Sequence, residues 1–287
     1  MQQLTYIVSG IADAQCKAEQ ARETLNRIPH VETLLISIAT PCEMPLEKAL
    51  HMRDAIRDIF PRARILTHTC ALKMADLHID TEGVMLTFTA FEASYADFFI
   101  VDGNTADAES TQKFVTFVAE RSTTKLVAYF IVGMMDQIDH LFEGISTMDE
   151  RIEVFGAFVD AESINARGYL VADDVVTKLG MVAIVFHGES LDVHVVRNFG
   201  WNPLGREIVA TRVEGCTILE LDGDTPLKIY ERYFGIKGDG DFSSDAALFP
   251  LCFIEADGSI SARVPIKIEE GTGALIFGIP IQKGTKF

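Results

Sequence analysis

A predicted strand that ends in Asp222-Gly223 and leads into a helix starting at Pro226 is the segment best suited to bind a charged small molecule. The first turn of a helix leaves backbone N–H groups without acceptors inside the helix, and these groups attract anions. Asp222 adds a carboxylate that could take an ammonium group, so the junction would suit a zwitterion. A tight Asp-Gly turn, with Asp224 or Thr225 capping the helix, explains the same residues without a ligand.

His68 and Cys70 form a second chemical constellation. They lie two residues apart on a predicted strand, so their side chains point to the same face. A thiol beside an imidazole is the smallest set that can produce a thiolate nucleophile, which gives the alternative hypothesis of a cysteine-dependent hydrolase or transferase. No glycine-rich oxyanion loop or third member accompanies the pair. A buried cysteine next to a hydrogen-bonded histidine is the simpler interpretation.

The charge and hydropathy of the chain limit its partners. Among 287 residues, 42 are acidic and 25 basic, for a formal net charge of −17. Nucleic acids and anionic membranes are bound by clustered Lys and Arg, so we expect neither as a partner. No segment approaches the roughly 20 apolar residues that span a bilayer, and the first residues do not resemble a signal peptide. The sequence therefore predicts a soluble cytoplasmic protein without membrane insertion.

Metal and cofactor motifs are missing from the sequence. The five cysteines are odd in number and widely separated, without a CxxC pair, so we expect free thiols and no metal site. The chain also contains no GxGxxG or GxxxxGK loop for phosphate groups. We therefore expect no cofactor.

Strands and helices alternate along the chain, which predicts an α/β fold. The apolar residues Ala14, Ala18, Ala21, Leu25 and Ile28 recur at helical spacing after a first strand. The β-rich runs 83–88 and 180–185 both open with glycine, which indicates an internal duplication. We expect β-α-β-α-β-hairpin halves in layered mixed sheets with helices outside, and a β-rich C-terminal segment.

Each half is expected to end in a β-hairpin. The first hairpin would join residues 83–91 to 95–101, and the second would join 180–187 to 191–198. The second hairpin would place His187 opposite Asp192 as a surface pair.

Three blocks resemble, in order, the signature of the FIST sensory domain family. They are Gly200-Trp201-Asn202-Pro203-Leu204-Gly205, Leu221-Asp222-Gly223 and Pro226-Leu227-Lys228-Ile229-Tyr230. The resemblance continues upstream at residues 154–160, which include Gly156, and downstream at 249–251, Arg263 and 279–284. It covers most of the chain from about Val31 onward.

The resemblance implies a sensing module of bacterial signalling proteins that binds a small molecule, such as an amino acid, and performs no catalysis. Such a module relays binding to a covalently linked effector domain such as a diguanylate cyclase or histidine kinase. We expect the FIST N-terminal region at residues 1–234, with pseudo-repeats at about 1–102 and 103–234. The FIST C-terminal region would occupy residues 235–287, truncated before the effector, and a homodimer is compatible with this organisation.

The resemblance also implies which residues line the ligand site. They are Trp201, Pro203, Gly205, Asp222, Gly223, Tyr230, Gly156, Cys70 and Arg263. Two turns depart from the family pattern. Thr67-His68-Thr69-Cys70 stands where a Gly-Cys-Ser/Thr turn is usual, and Phe158 replaces a small residue. The bulkier side chains predict a change in the ligand or in its binding.

Overall fold

The computed structural model describes residues 1–75, 78–105, 107–133, 138–159, 168–196, 202, 204–238, 242–254, 260–278 and 280–287. These residues form two compact units, Met1–Val195 and Val196–Phe287. The expected boundary between family regions, at residues 234 and 235, lies inside the second unit. It stays a prediction, because a boundary between family regions need not coincide with a break in packing.

The first unit contains four helices and twelve strands among its described residues. In chain order these are β1 (Gln2–Val8), α1 (Ile11–Leu25), β2 (Thr33–Thr40), α2 (Leu46–Ile59), β3 (Arg64–Thr69), β4 (Lys73–Ala75), β5 (His78–Asp80), β6 (Val84–Phe91), β7 (Tyr95–Asp102), α3 (Ala108–Ala119), β8 (Thr124–Val132), α4 (Ile138–Ser146), β9 (Glu153–Phe158), β10 (Leu170–Ala172), β11 (Val175–Thr177) and β12 (Gly180–His187).

Two mixed sheets repeat one topology. The first sheet has the order β1-β6-β2-β3-β10-β11, and the second has the order β7-β12-β8-β9. In the first sheet, β6 pairs antiparallel with both β1 and β2, and β2 runs parallel to β3. In the second sheet, β12 pairs antiparallel with both β7 and β8, and β8 runs parallel to β9. The internal duplication predicted from the two glycine-led runs is thus visible in the strand order.

The predicted hairpins are wrong. β6 pairs with β1 and β2 in the first sheet, whereas β7 pairs with β12 in the second, so the chain crosses between sheets at residues 92–94. No strand is formed by residues 191–196, and 197–198 lie outside the described residues. His187 accordingly lies 3.2 Å from Asp97, and Asp192 lies 3.1 Å from His194. A short turn between two β-rich runs fits a hairpin or a crossing equally well.

The first unit has four layers, which confirms the predicted layered α/β fold with helices outside. Helices α1 and α2 pack on one face of the first sheet through small residues such as Ala14, Ala18 and Ala21. Helices α3 and α4 cover the second sheet around Phe114. The other faces of the two sheets share a core that includes Leu66 and Val182. α1 ends at Leu25, before Ile28, but Ile28 still packs on the expected core.

The second unit contains β13 (Ala210–Glu214), β14 (Thr217–Leu221), α5 (Pro226–Phe234), α6 (Phe242–Ala247), β15 (Leu251–Ile254), β16 (Ile260–Arg263), β17 (Lys267–Ile268) and β18 (Leu275–Ile276). Its four-stranded sheet has the order β13-β14-β18-β17, and β15 pairs with β16. The core around Ile218, Ile229 and Leu275 joins this sheet to α5. The expected β-rich C-terminal segment is therefore present.

Candidate functional site

Buried polar side chains concentrate at one edge of the first sheet. Strands β1, β2 and β3 run in the same direction, so their carboxyl ends meet this edge, where α1 and α2 begin. Nine polar or charged residues are buried in the described chain, and five of them lie here. We call Thr40, Thr67, His68, Thr69, Lys73 and the adjoining Tyr169 the carboxyl-edge cluster. Polar burial of this density is unusual in a packed core and marks the edge as a candidate site.

Hydrogen bonds in the carboxyl-edge cluster join both repeats. The hydroxyl oxygens of Thr40 and Tyr169 lie 2.7 Å apart, and Thr40 also donates to the carbonyl of His68 at 3.2 Å. The Thr69 hydroxyl donates to the carbonyl of Val159, next to the end of β9, at 3.1 Å. Burial raises the pKa of Tyr169, so its hydroxyl stays protonated at neutral pH. The cluster therefore has a fixed hydrogen-bond framework.

His68 is held between the two sheets. Its ring stacks on Phe130 with centroids 5.2 Å apart, Nε2 lies 3.3 Å from the Ser37 hydroxyl, and Nδ1 lies 3.1 Å from the Thr69 carbonyl. Burial lowers the pKa of His68, which keeps the ring neutral. The Cys70 thiol donates instead to the Leu72 carbonyl at 3.0 Å. Thiol and imidazole thus each have other partners, and the geometry gives the cysteine-enzyme hypothesis no support.

The lowered pKa of His68 predicts a pH-dependent stability. Below about pH 6.5 the unfolded chain takes up a proton that the folded chain excludes, so the free energy of unfolding falls by at most about 1.4 kcal/mol per pH unit. Above that pH the group contributes no dependence. His68→Asn should remove this component in urea titrations compared at about pH 8 and about pH 5.5. The exposed control His51→Asn should keep the wild-type profile, and equal profiles for all three proteins would contradict the assignment.

Lys73 and Thr67 are the least compensated members of the carboxyl-edge cluster. Lys73 is only 1% exposed, and its ammonium donates to the neutral carbonyls of Cys70 at 3.2 Å and Thr81 at 3.1 Å. No carboxylate of the described residues forms an ion pair with it. The Thr67 hydroxyl oxygen is buried and has no hydrogen-bond partner within the described ranges. The edge therefore combines an unneutralised cation with an unused polar group.

In the second unit, the structure brings two of the predicted site segments together. One carboxylate oxygen of Asp222 accepts the N–H of Val209 at 2.9 Å, and the other lies 3.0 Å from the guanidinium of Arg206. This folds the segment after Gly205 against the Asp222-Gly223 turn. Asp222 and Gly223 have φ of 49° and 86°, in the left-handed region that suits a tight turn. Asp222 therefore holds a turn in this structure.

Helix α5 begins at Pro226, as the sequence predicts, and its first N–H groups have protein acceptors. Leu227 N–H donates to the Gly273 carbonyl at 3.1 Å, and Lys228 N–H donates to the Thr225 carbonyl at 3.0 Å. The Thr225 side chain makes no capping hydrogen bond. The predicted capture of an anion by this helix start thus lacks these two donors.

The remaining predicted residues that the structure describes each have their own local contacts. Tyr230 is in the core of the second unit, where its hydroxyl donates to the Phe249 carbonyl at 2.9 Å and burial raises its pKa. The Arg263 guanidinium lies 5.0 Å from the ring centre of Phe253. Gly156 lies in β9 of the first unit, where a Cβ atom would stand 2.3 Å from the Tyr129 ring. Trp201 and Pro203 lie outside the described residues.

A model of the FIST N domain family matches residues 33–224, which is more than half of the chain. The chain belongs to the FIST family. FIST domains are sensory domains, so the chain has a sensing role. The matched range contains the carboxyl-edge cluster, the Asp222 turn and both repeats of the first unit except β1 and α1, which precede it. No curated protein matches the chain.

Two further findings bear on the chemistry of this FIST domain. Within the described ranges, no three His, Cys, Asp or Glu side chains are grouped so that they could hold a metal ion. None of the helices in those ranges is long and apolar enough to cross a membrane.

Sequence reasoning missed three members of the carboxyl-edge cluster: Thr40, Lys73 and Tyr169. Tyr169 reaches Thr40 from 129 positions away along the chain, through β10, which pairs with β3. No local sequence motif predicts such a contact. Lys73 lies in a short strand after Cys70, and an isolated lysine in a sequence usually indicates solvent exposure.

Proposed function

We propose that this FIST domain binds a small metabolite that carries a carboxylate, such as an amino acid, at the carboxyl edge of its first sheet. Binding would be relayed to a linked output domain, such as a diguanylate cyclase or histidine kinase, and the domain itself would perform no catalysis. The observation that supports the proposal is the buried ammonium of Lys73, which has only neutral acceptors among the described residues.

The electrostatic argument rests on the cost of burying a charge. A buried lysine is normally paired with a carboxylate, because an uncompensated ammonium loses its hydration. Acidic residues are abundant in this chain, 42 in all, yet none of those described pairs with Lys73. A ligand carboxylate would supply the missing charge, and the unused Thr67 hydroxyl and the nearby Cys70 offer polar contacts at the same edge.

The relay would begin in the small hairpin formed by β4 and β5. Lys73 is the first residue of β4, and its ammonium also contacts Thr81, just after β5. A ligand that draws the ammonium away from these carbonyls would change the position of the hairpin relative to the sheet. Sensing by this route needs differential binding to two positions of the hairpin and no chemical reaction.

Thermal unfolding of the full chain tests the proposal, with each standard amino acid as a separate probe. At least one should raise the melting temperature in a saturable way, because a ligand of the folded state adds stability as its concentration passes its dissociation constant. Lys73→Met should weaken that response about tenfold or more, equivalent to roughly 1.4 kcal/mol. The exposed control Lys48→Met should respond like the wild type.

Each outcome of this experiment is informative. A wild-type chain that responds to no amino acid would reject that ligand class. A response that survives unchanged in Lys73→Met would place the site elsewhere in the chain. Comparing each variant with its own unliganded melting temperature separates binding from any change in intrinsic stability.

A further inference from the structure

A groove of about 430 Å³ lies in the second repeat, at the amino edge of the second sheet. It is bordered by the end of α3, the residues after α4 and the starts of β8 and β9. Its lining includes Val118, Ala119, Arg121, Lys125, Met148 and Arg151. The volume is within the range of small-molecule sites, roughly 300–1,000 Å³. The groove lies at the end of its sheet opposite to the helix starts, so it is distinct from the carboxyl-edge cluster.

The duplication supplies an internal reference for this groove. In the first repeat, the ring of Phe60 packs on Phe88 with centroids 5.5 Å apart. Asp149 stands at the same distance before the start of β9 as Phe60 does before the start of β3. Val185 stands at the same distance after Gly180 as Phe88 does after Gly83. Two aromatic rings are thus replaced by smaller side chains.

The connection from the first helix to the second strand also has fewer apolar side chains in the second repeat than in the first. Residues 26–32 join α1 to β2, and Ile28 and Val31 of this connection pack on the first core. The corresponding connection in the second repeat, residues 120–123, is shorter and consists of Glu-Arg-Ser-Thr. The groove is therefore open because the side chains that fill the equivalent place in the first repeat have no counterpart here.

The lining of the groove combines an apolar floor with a cationic rim. Val118 is buried, and Val115, Met148 and Ile152 are partly buried, whereas Lys125 is exposed. Three basic residues line the groove against one acidic residue, Asp149, although acidic residues dominate the chain as a whole. This composition favours a ligand with an anionic head and an aliphatic tail.

Two of the basic residues differ in how freely they can turn to a ligand. The Arg121 guanidinium forms an ion pair with Asp97 at 2.8 Å. Arg151 contacts Asp149 through Nε at 2.9 Å, but its side chain is 86% exposed, and exposed ion pairs contribute little to stability. Arg151 can therefore exchange Asp149 for a ligand at small cost, and Lys125 forms no ion pair with another described residue.

We propose that this groove binds a small free carboxylic acid, with the carboxylate at Lys125 and Arg151 and the aliphatic tail against Val118, Met148 and Ile152. The site is independent of the proposed amino-acid site, because it uses other residues at the opposite edge of the other sheet. The second repeat would thereby give the domain a second chemical input.

Calorimetric titration of the full chain tests this, with hexanoate, pentan-1-ol, hexan-1-ol and pentylamine as probes, of which hexanoate, pentan-1-ol and pentylamine have equal tail length. Hexanoate should bind saturably and pentylamine should not, because the two probes have the same tail and head groups of opposite charge. Ala119→Phe adds a ring to the groove from an exposed helix position and should weaken hexanoate binding about tenfold or more. Ala108→Phe, an exposed position at the other end of α3, should leave binding unchanged.

Lys125→Gln provides a second variant at an exposed position, where folding is not at risk. It should weaken hexanoate binding and leave the weak binding of hexan-1-ol unchanged, because only the charged head contacts Lys125. The proposal is overturned if hexanoate shows no saturable binding, if pentylamine binds equally well, or if both groove variants bind hexanoate like the wild type.

Discussion

Replacing Gly180 with alanine should lower the free energy of unfolding of the first unit by about 3 kcal/mol. A Cβ atom at this position would stand 2.2 Å from the carbonyl oxygen of Val101 and 3.1 Å from the backbone nitrogen of Gly103. The φ of 148° adds strain for any residue with a side chain. The obstacle is backbone of β7, which is hydrogen-bonded to β12, so relief would require parting two paired strands.

Urea unfolding followed by circular dichroism measures this loss. Gly10→Ala is the matched control in the same unit, because Gly10 has an extended φ of 177° and no atom beyond its two chain neighbours lies within 4 Å of the place that its added methyl group would take. As a helix N-cap exchange it should cost about 1 kcal/mol or less, because alanine is a poorer N-cap than glycine. Similar losses for the two variants would show that the Gly180 contact yields without cost, contrary to this expectation.

The sequence was most informative where local pattern and packing agree. The small apolar residues of α1 repeat at helical spacing and all face the first core, so burial followed directly from periodicity. The runs led by Gly83 and Gly180 occupy equivalent central strands, β6 and β12, and both glycines stand where a Cβ atom would overlap neighbours. Glycine thus opens both runs for different local reasons: a Cβ atom would meet the Ile7 and Asp80 side chains at Gly83 and the backbone of Val101 at Gly180.

Strand partners were not predictable from local pattern. β6 and β7 are separated by three residues, which suggested a hairpin, but each pairs with strands far away in the chain. The side chains decide this choice. Phe91 and Ala96 both face the core shared by the two sheets, which a chain crossing between sheets allows. Alternation within a strand identifies its buried face and carries no information about which sheet covers that face.

The candidate site was predicted in part. Cys70 was predicted to lie on the same strand as His68, whereas β3 ends at Thr69 and Cys70 follows it, and the cluster members Lys73 and Tyr169 were not anticipated. Asp222 was expected to offer its carboxylate to a ligand, and in the structure Arg206 and Val209 occupy both carboxylate oxygens. The partners of a charged residue depend on tertiary contacts, which a motif of a few residues does not encode.

Asp97→Ala should destabilise the first unit by about 2 kcal/mol at neutral pH. The Asp97 carboxylate lies 2.8 Å from Arg121, 3.2 Å from His187 and 3.7 Å from Arg64, which belongs to the first repeat. These side chains are partly buried, so removal of the carboxylate leaves the Arg121 guanidinium partly desolvated without its counter-charge, whereas Arg64 keeps Asp173 at 2.9 Å. Asp97 also joins the two repeats at the edge opposite to the carboxyl-edge cluster.

The pH dependence of this effect follows from the Asp97 environment. Burial alone would raise the pKa of Asp97, but hydrogen bonds from Arg121 and His187 and their charges together lower it. A carboxyl group whose pKa is lowered on folding stabilises the folded state at pH values above its unfolded pKa of about 3.9. This stabilisation is lost as the pH falls through the pKa of the folded state. The difference between wild type and Asp97→Ala in urea titrations should therefore be full at neutral pH and shrink in strong acid.

Asp149→Ala is the informative comparison for Asp97→Ala. Hydrogen bonds from Arg151 also lower the pKa of Asp149, yet the Arg151 side chain is 86% exposed. Water screens and replaces an exposed pair, so little change in the free energy of unfolding is expected. If Asp149→Ala were as costly as Asp97→Ala, carboxylate pairing itself would set the loss. If only Asp97→Ala is costly, the loss arises because burial prevents water from replacing the missing carboxylate.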